Sequence, residues 1–217
     1  MSEQKILDNP IAFDVFSPDR MYTYLKGFTS GANLENTHNA LVFAKQAHAG
    51  QTRKTGQPYI IHPLTMACHA TALGFRSDAV IAACLLHDVV EDCGVLPCDL
   101  PVDESIQNIV ALLTHDKADS LDVYYSRILH NKIACLVKLF DRCDNVSTMS
   151  GVFTRSKLVS YIDETCRYAP ELYRTAKDSW PELSDALFVL KYHITSVTNS
   201  LRAAVECYGS AEMEESV

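Results

Sequence analysis

Apolar residues along this chain recur at helical rather than strand spacing. Leu34, Leu41, Val42 and Ala44 mark one face of a helix over 34–49, which Gly50 stops. A second helix is predicted over 63–74, with Pro63 suited to a first turn and Gly74 as the stop. Every position from 79 to 86 is apolar, so the third helix, capped by Ser77 or Asp78, belongs at the centre of a bundle. It is expected to run on to Cys93-Gly94. Beyond a loop with Pro97 and Pro101 the pattern predicts helices over 103–114 (capped by Asp103), 121–129 and 132–149. Another spans 156–168, broken before Pro170, and a long last helix covers 183–208. No stretch alternates with period two around a hairpin turn. The chain therefore reads as all-α, without internal repeats or a second-domain boundary. Residues 1–30 form an N-terminal extension of unassigned structure, and 209–217 an acidic tail expected to be disordered.

Composition narrows the picture. With 217 residues, 47% hydrophobic and 21% charged, the chain has the size of one compact domain and needs no cross-link to fold. A net charge of −8 speaks against a nucleic-acid binder that works by phosphate neutralisation, and against a polybasic membrane-surface protein. The longest apolar run, 79–86, falls far short of the roughly 20 residues of a membrane span. Met1-Ser2-Glu3-Gln4-Lys5 lacks a basic segment followed by an apolar core, so the expectation is no secretory signal and a cytoplasmic location. The eight cysteines are scattered without a Cys-x-x-Cys pair, which favours reduced thiols over a disulfide or zinc framework. Cys84 and Cys135 stand in apolar runs as small hydrophobes.

The candidate chemistry begins at His87-Asp88. Two ligand-type residues at the end of an apolar helix are expensive to bury unless something pairs with both, and a divalent cation does so. Glu91 and Asp92 follow four residues later, one helical turn on and about 6 Å along the axis. A carboxylate there is placed to orient an attacking water and take its proton rather than to ligate the ion. Asp141 and Asn145 repeat the i, i+4 spacing on another helix with apolar flanks, which suits a further ligand with a hydrogen-bonding neighbour. Arg53-Lys54-Thr55-Gly56 supplies two cations on a flexible turn able to wrap a base or phosphates. Taken singly, each of these segments also fits a capped helix end, a solvated ion pair or a basic surface turn.

Together they carry a resemblance. The segments His48-Ala49-Gly50-Gln51-Thr52-Arg53-Lys54-Thr55-Gly56-Gln57-Pro58-Tyr59-Ile60-Ile61-His62-Pro63, Leu85-Leu86-His87-Asp88-Val89-Val90-Glu91-Asp92 and Lys138-Leu139-Phe140-Asp141-Arg142-Cys143-Asp144-Asn145 closely resemble the hydrolase domain of the RelA/SpoT family. That domain belongs to the HD superfamily of metal-dependent phosphohydrolases. The resemblance implies an all-α HD fold over 31–208 and removal of the 3′-pyrophosphate of (p)ppGpp to leave GDP or GTP. It implies bound Mn²⁺, with Fe, Co or Zn as alternatives, held by His62, His87, Asp88 and Asp141. Glu91 and Asp92 match the water-activating pair. Arg53, Lys54 and Thr55 match the loop around the base, and Asn145 a nucleotide contact; Lys138 and Arg142 are added as pyrophosphate contacts. The expected partner is a small nucleotide, without nucleic acid or membrane, and the oligomeric state stays open. The length suggests a small stand-alone alarmone hydrolase.

Some departures touch the expected substrate wall. Cys143-Asp144 replaces an apolar residue followed by His, Tyr or Ser, and Asp144 adds negative charge near the expected pyrophosphate. Cys93 stands where Thr is common, and His115-Asp116-Lys117 follows Thr114 where Lys is common. Two rivals remain: another HD phosphohydrolase, such as an NADPH 2′-phosphatase, or a non-catalytic alarmone-binding module. Adenosine analogues are equally compatible with the motifs. His48 is expected to pack or support rather than to ligate. His38, His69, His115, His130 and His193 are read as ordinary histidines, and Trp180 as a packing anchor.

Overall fold

The structure is a computed structural model that describes residues 17–150 and 152–214. Ten α-helices lie among them: α1 Pro18–Ala32, α2 Glu35–Ala47, α3 Ile61–Ala72, α4 Asp78–Leu86, α5 Val89–Cys93, α6 Glu104–Leu113, α7 Leu121–Leu129, α8 Lys132–Thr148, α9 Arg155–Ser179 and α10 Ser184–Glu214. No β-strand occurs among the described residues, only an isolated bridge between Thr52 and Pro58. Part of the expected N-terminal extension is thus helix α1, started by the Ser17 side chain; residues 1–16 lie outside the described residues.

The apolar run of α4 places it where predicted. Val80 to Leu86 are all buried, and α4 packs against α2, α3, α6 and α8. Ser77 caps it by accepting from the Val80 N–H. Asp78 serves a different helix. Its carboxylate accepts from the N–H groups of Asn36 and Thr37 and from the Thr37 hydroxyl, capping α2 from across the bundle. Asp103 stands at the start of α6, but its carboxylate accepts from Asn36 instead of capping its own helix.

Three helices differ in extent from the sequence expectation. The helix expected to continue from 79 to Cys93 is interrupted at His87-Asp88 and resumes as α5. In an unbroken helix the Cys84 carbonyl would receive the Asp88 N–H; here His87 Nδ1 occupies it at 3.0 Å. Helix α9 does not break before Pro170 but runs 25 residues through it. Pro170 is exposed, so the carbonyl it leaves unpaired faces water, while Ile162, Thr165, Leu172 and Ala176 bury the helix on both sides of it. Helix α10 continues past 208 to Glu214, into the segment expected to be a disordered tail. All eight cysteines are unpaired, with Cys84, Cys135 and Cys143 buried. Trp180 packs edge-on against Phe75, as an anchor should.

Candidate metal centre

Four residues expected as ligands converge where the start of α3, the break after α4 and the middle of α8 meet. His62 lies in the first turn of α3, His87 and Asp88 in the break after α4, and Asp141 in the middle of α8. His62 Nε2 is 3.2 Å from His87 Nε2, 3.3 Å from Asp141 Oδ1 and 3.6 Å from Asp88 Oδ2. His87 Nε2 stands 3.0 Å from Asp88 Oδ2 and 3.9 Å from Asp141 Oδ1. His62, His87 and Asp141 are buried, while Asp88 retains some exposure and marks the open side. The donor atoms of His62, His87 and Asp141 all fall within 4.8 Å of one another, close enough to share one ion.

The outer nitrogens decide the chemistry of this donor set. His87 Nδ1 faces the Cys84 carbonyl, so it carries the proton and leaves Nε2 with a lone pair. His62 Nδ1 sits 2.6 Å from Asp144 Oδ2, which fixes the same tautomer. The Nε2 atoms of both rings and two carboxylates then face one another, an arrangement that a divalent cation satisfies and that otherwise draws a proton onto His62. The electrostatics agree. Burial pushes His62 down, but hydrogen bonding to Asp141 and Asp144 and the charge of Asp88 outweigh it and lift it to about 9. Burial pushes Asp88 and Asp141 up, yet His87 and His62 hold the first, and Lys138 with His62 the second, below the ordinary carboxylate range. The pocket keeps its carboxylates charged and attracts positive charge to His62 Nε2.

Glu91 and Asp92 lie on α5 at the exposed rim. The Asp92 N–H still donates to the Asp88 carbonyl at 2.8 Å, so the i, i+4 relation survives the helix break. Glu91 Oε2 accepts from the His115 N–H at 3.2 Å, which assigns a role to one residue of the departing His115-Asp116-Lys117 segment. Tyr59 joins the rim to the cluster, donating its hydroxyl to Asp88 Oδ2 at 2.6 Å and stacking on His48. Its position three residues before His62 was the available signal. His48 is buried and bonded to Gln51, outside the four-residue cluster.

The expected substrate contacts fare differently. The 53–56 turn closes through Arg53 N to Gln57 O and Gly56 N to Arg53 O, with Gly56 at φ +81°, a conformation glycine adopts without strain. Arg53 is not free at its tip: it donates to Asp144 Oδ2 and Asn145 Oδ1, each at 2.9 Å. Asn145 donates in turn to Asp141 Oδ1. Lys138 lies beside the cluster, its ammonium 2.8 Å from Asp141 Oδ2. Arg142 is the correction. Its guanidinium is buried against Tyr161 and donates to Tyr125, Glu164 and Thr165, because the following turn of α8 points it into α9. Asp144 also points inward, to His62 and Arg53, rather than into the space expected for pyrophosphate. Thr55 is exposed. Lys54 lies over the Phe153 ring, which Lys157 covers as well, and among the described residues neither ammonium forms an ion pair with a carboxylate. Lys157 and Phe153 carried no sequence signal, because their proximity to Lys54 arises only from the fold. A separate cleft of about 540 Å³ between α8, α9 and α10 is lined by none of the expected site residues.

Comparison with known proteins identifies the family and the fold. Residues 40–165 match the sequence profile of the HD domain family. A guanosine-3′,5′-bis(diphosphate) 3′-pyrophosphohydrolase of Aquifex aeolicus is 36% identical over 151 residues, 64% of this chain and 21% of that protein. One of the same name from Vibrio cholerae is 28% identical over 195 residues, 81% of this chain and 27% of the relative. The chain thus spans about a fifth to a quarter of the length of these curated relatives. A solved structure titled "A metazoan ortholog of SpoT hydrolyzes ppGpp and plays a role in starvation responses" superposes with a TM-score of 0.56 at 22% identity, covering 72% of this chain and 93% of that one, a likeness of fold. With a profile match over more than half its length and the bundle of that structural neighbour, this chain belongs to the HD domain family.

Proposed function

We propose that this chain is a divalent-metal-dependent hydrolase of the 3′-pyrophosphate of guanosine nucleotides of the (p)ppGpp type, with Mn²⁺ as the working ion. One observation carries the reading: two histidines with fixed Nδ1–H tautomers and two charged carboxylates converge on a point beneath an acidic rim. The names of the curated relatives supply the substrate class.

His62, His87, Asp88 and Asp141 would hold the ion, which when bound acts as a Lewis acid on phosphoryl oxygen and water. Tyr59 fixes Asp88 by its hydrogen bond and shields the cluster's rim. Glu91, held by the His115 N–H, and Asp92 offer carboxylates to take the proton from an attacking water. Water attacks the phosphorus attached to the ribose 3′ oxygen, that P–O bond breaks, and the 3′ oxygen leaves with a proton. Pyrophosphate departs with the water oxygen. Of the four cations expected around the phosphates, Arg53, Lys138 and Arg142 are each paired with a carboxylate. Lys54, joined by Lys157, is therefore the stronger candidate for the nucleotide's phosphates.

The test offers the Mn²⁺-loaded protein ppGpp, ppApp and NADPH, and follows pyrophosphate and phosphate release separately. Pyrophosphate from ppGpp, lost in Asp88→Ala, is the expected result. Phosphate release from NADPH alone would replace this reading with a 2′-phosphatase. No release from any of the three by metal-loaded protein would favour a binding module.

A further inference from the structure

The residues behind the metal cluster form a closed network that the expected roles of Arg53 and Asp144 do not explain. Arg53 Nη1 donates to Asp144 Oδ2, and the same oxygen lies 2.6 Å from His62 Nδ1. Arg53 Nη2 donates to Asn145 Oδ1, and the Asn145 amide donates to Asp141 Oδ1. One guanidinium thus bridges two adjacent residues of α8, each bonded to a different member of the cluster. Asp144 is 5% exposed, and the Arg53 side chain is 14% exposed although it stems from a surface turn.

We infer that Arg53 and Asp144 are positioning residues: a strap from the 53–56 turn that holds His62 and Asp141 in place for a divalent ion. The inference rests on the reading of the cluster as a metal site. The physical case is direct. A carboxylate accepting from the outer nitrogen of a ligating imidazole fixes its tautomer and ring plane and raises its basicity. A carboxylate buried without a cation would be costly, and Arg53 supplies that cation with two aligned donors. The second donor holds Asn145 so that its amide faces Asp141. Asp144 is then a support for the ion rather than a repulsive charge in the substrate space.

Charge and strap make opposite forecasts for Arg53. Removing a cation beside a divalent ion tightens metal binding by Coulomb attraction alone. Removing a strap weakens it. The experiment measures Mn²⁺ affinity by calorimetry on the nucleotide-free protein, with the thermal midpoint of the chelator-treated protein recorded in parallel. Arg53→Met should weaken Mn²⁺ binding about 10-fold, and Asp144→Asn about 10- to 100-fold. The double variant should lose less than the product of the two, since both cut one network. Lys54→Met removes a neighbouring charge outside the strap and should leave the metal dissociation constant within about twofold. Arg53→Met binding Mn²⁺ as tightly as wild type or tighter, or a multiplicative double variant, overturns the strap while leaving the metal site standing. A wild-type protein that takes up no Mn²⁺ overturns the site and the strap together.

Discussion

His62 shows how little of a residue's role is contained in its own identity. Its Nε2 faces the cluster because Asp144 accepts a hydrogen bond from Nδ1–H, and Asp144 is held there by Arg53, which reaches across from a turn 91 positions earlier. Apolar flanks make His87, Asp88 and Asp141 legible as residues directed toward the core, whereas His62 joins them only through the family resemblance of its motif. Asp144 and Arg142 escape a sequence reading for different reasons. Successive residues on a helix diverge by about 100°, so Arg142 turns away from Asp141 toward Glu164 and Tyr125 in α9 and α7. Asp144, three residues on, stays near the Asp141 face, and its partners His62 and Arg53 come from distant segments of the chain. Two predictions belong at this scale. Glu91→Gln should lower kcat about 10²- to 10⁴-fold while Mn²⁺ affinity changes little, separating proton transfer from ligation. Arg142→Met should leave Glu164 without its cation, with only the Tyr125 hydroxyl still donating to it, and destabilise the protein by about 3 kcal/mol in a denaturant titration. A selective rise in KM for nucleotide at unchanged stability would return Arg142 to the substrate.

Among the elements, α4 and the break after it set the site. The apolar run of α4 could be read directly and fixes its central place. The break could not be read, because it depends on the His87 ring competing for the Cys84 carbonyl, a side-chain choice that periodicity does not register. The passage of α9 through Pro170 is similar: the local rule predicts a stop, and burial on both sides of an exposed proline overrides it. Helix α2 illustrates capping at a distance. Burial pushes the Asp78 carboxyl up, but hydrogen bonds from Thr37 and Asn36 outweigh it and hold it below its ordinary value. A depressed carboxylate stabilises the fold above its unfolded pKa and stops doing so as pH falls through its folded one. Asp78→Ala should therefore cost about 1–2 kcal/mol at neutral pH, as for loss of a helix cap. The difference from wild type should shrink under acid conditions, as seen by thermal melts at both pH values. A difference that stayed constant or grew toward acid would contradict this account of Asp78.

At the scale of the molecule, a net charge of −8 surrounds a cluster built to take a cation. Arg53, Lys54, Lys138 and Arg142 are the four cations expected at the nucleotide. In the fold three of them are matched one-to-one by Asp144, Asp141 and Glu164, which makes the ion itself the main source of local positive charge. Because the proposed ligands lie on α3, in the break after α4 and on α8, metal binding would clamp these elements together and should stabilise the whole bundle. At about 100 times its dissociation constant Mn²⁺ adds roughly 2.7 kcal/mol. For a chain of this size that raises the thermal midpoint by roughly 5–10 °C, a shift that chelation removes and Asp88→Ala lacks. The most direct test of the account measures metal content and pyrophosphate release together. Wild-type protein carrying one Mn²⁺ per chain should convert ppGpp to equimolar pyrophosphate and GDP, and Asp88→Ala should do neither. Wild-type protein that holds one ion and releases no pyrophosphate, or an Asp88→Ala variant that releases it at the wild-type rate, would contradict it.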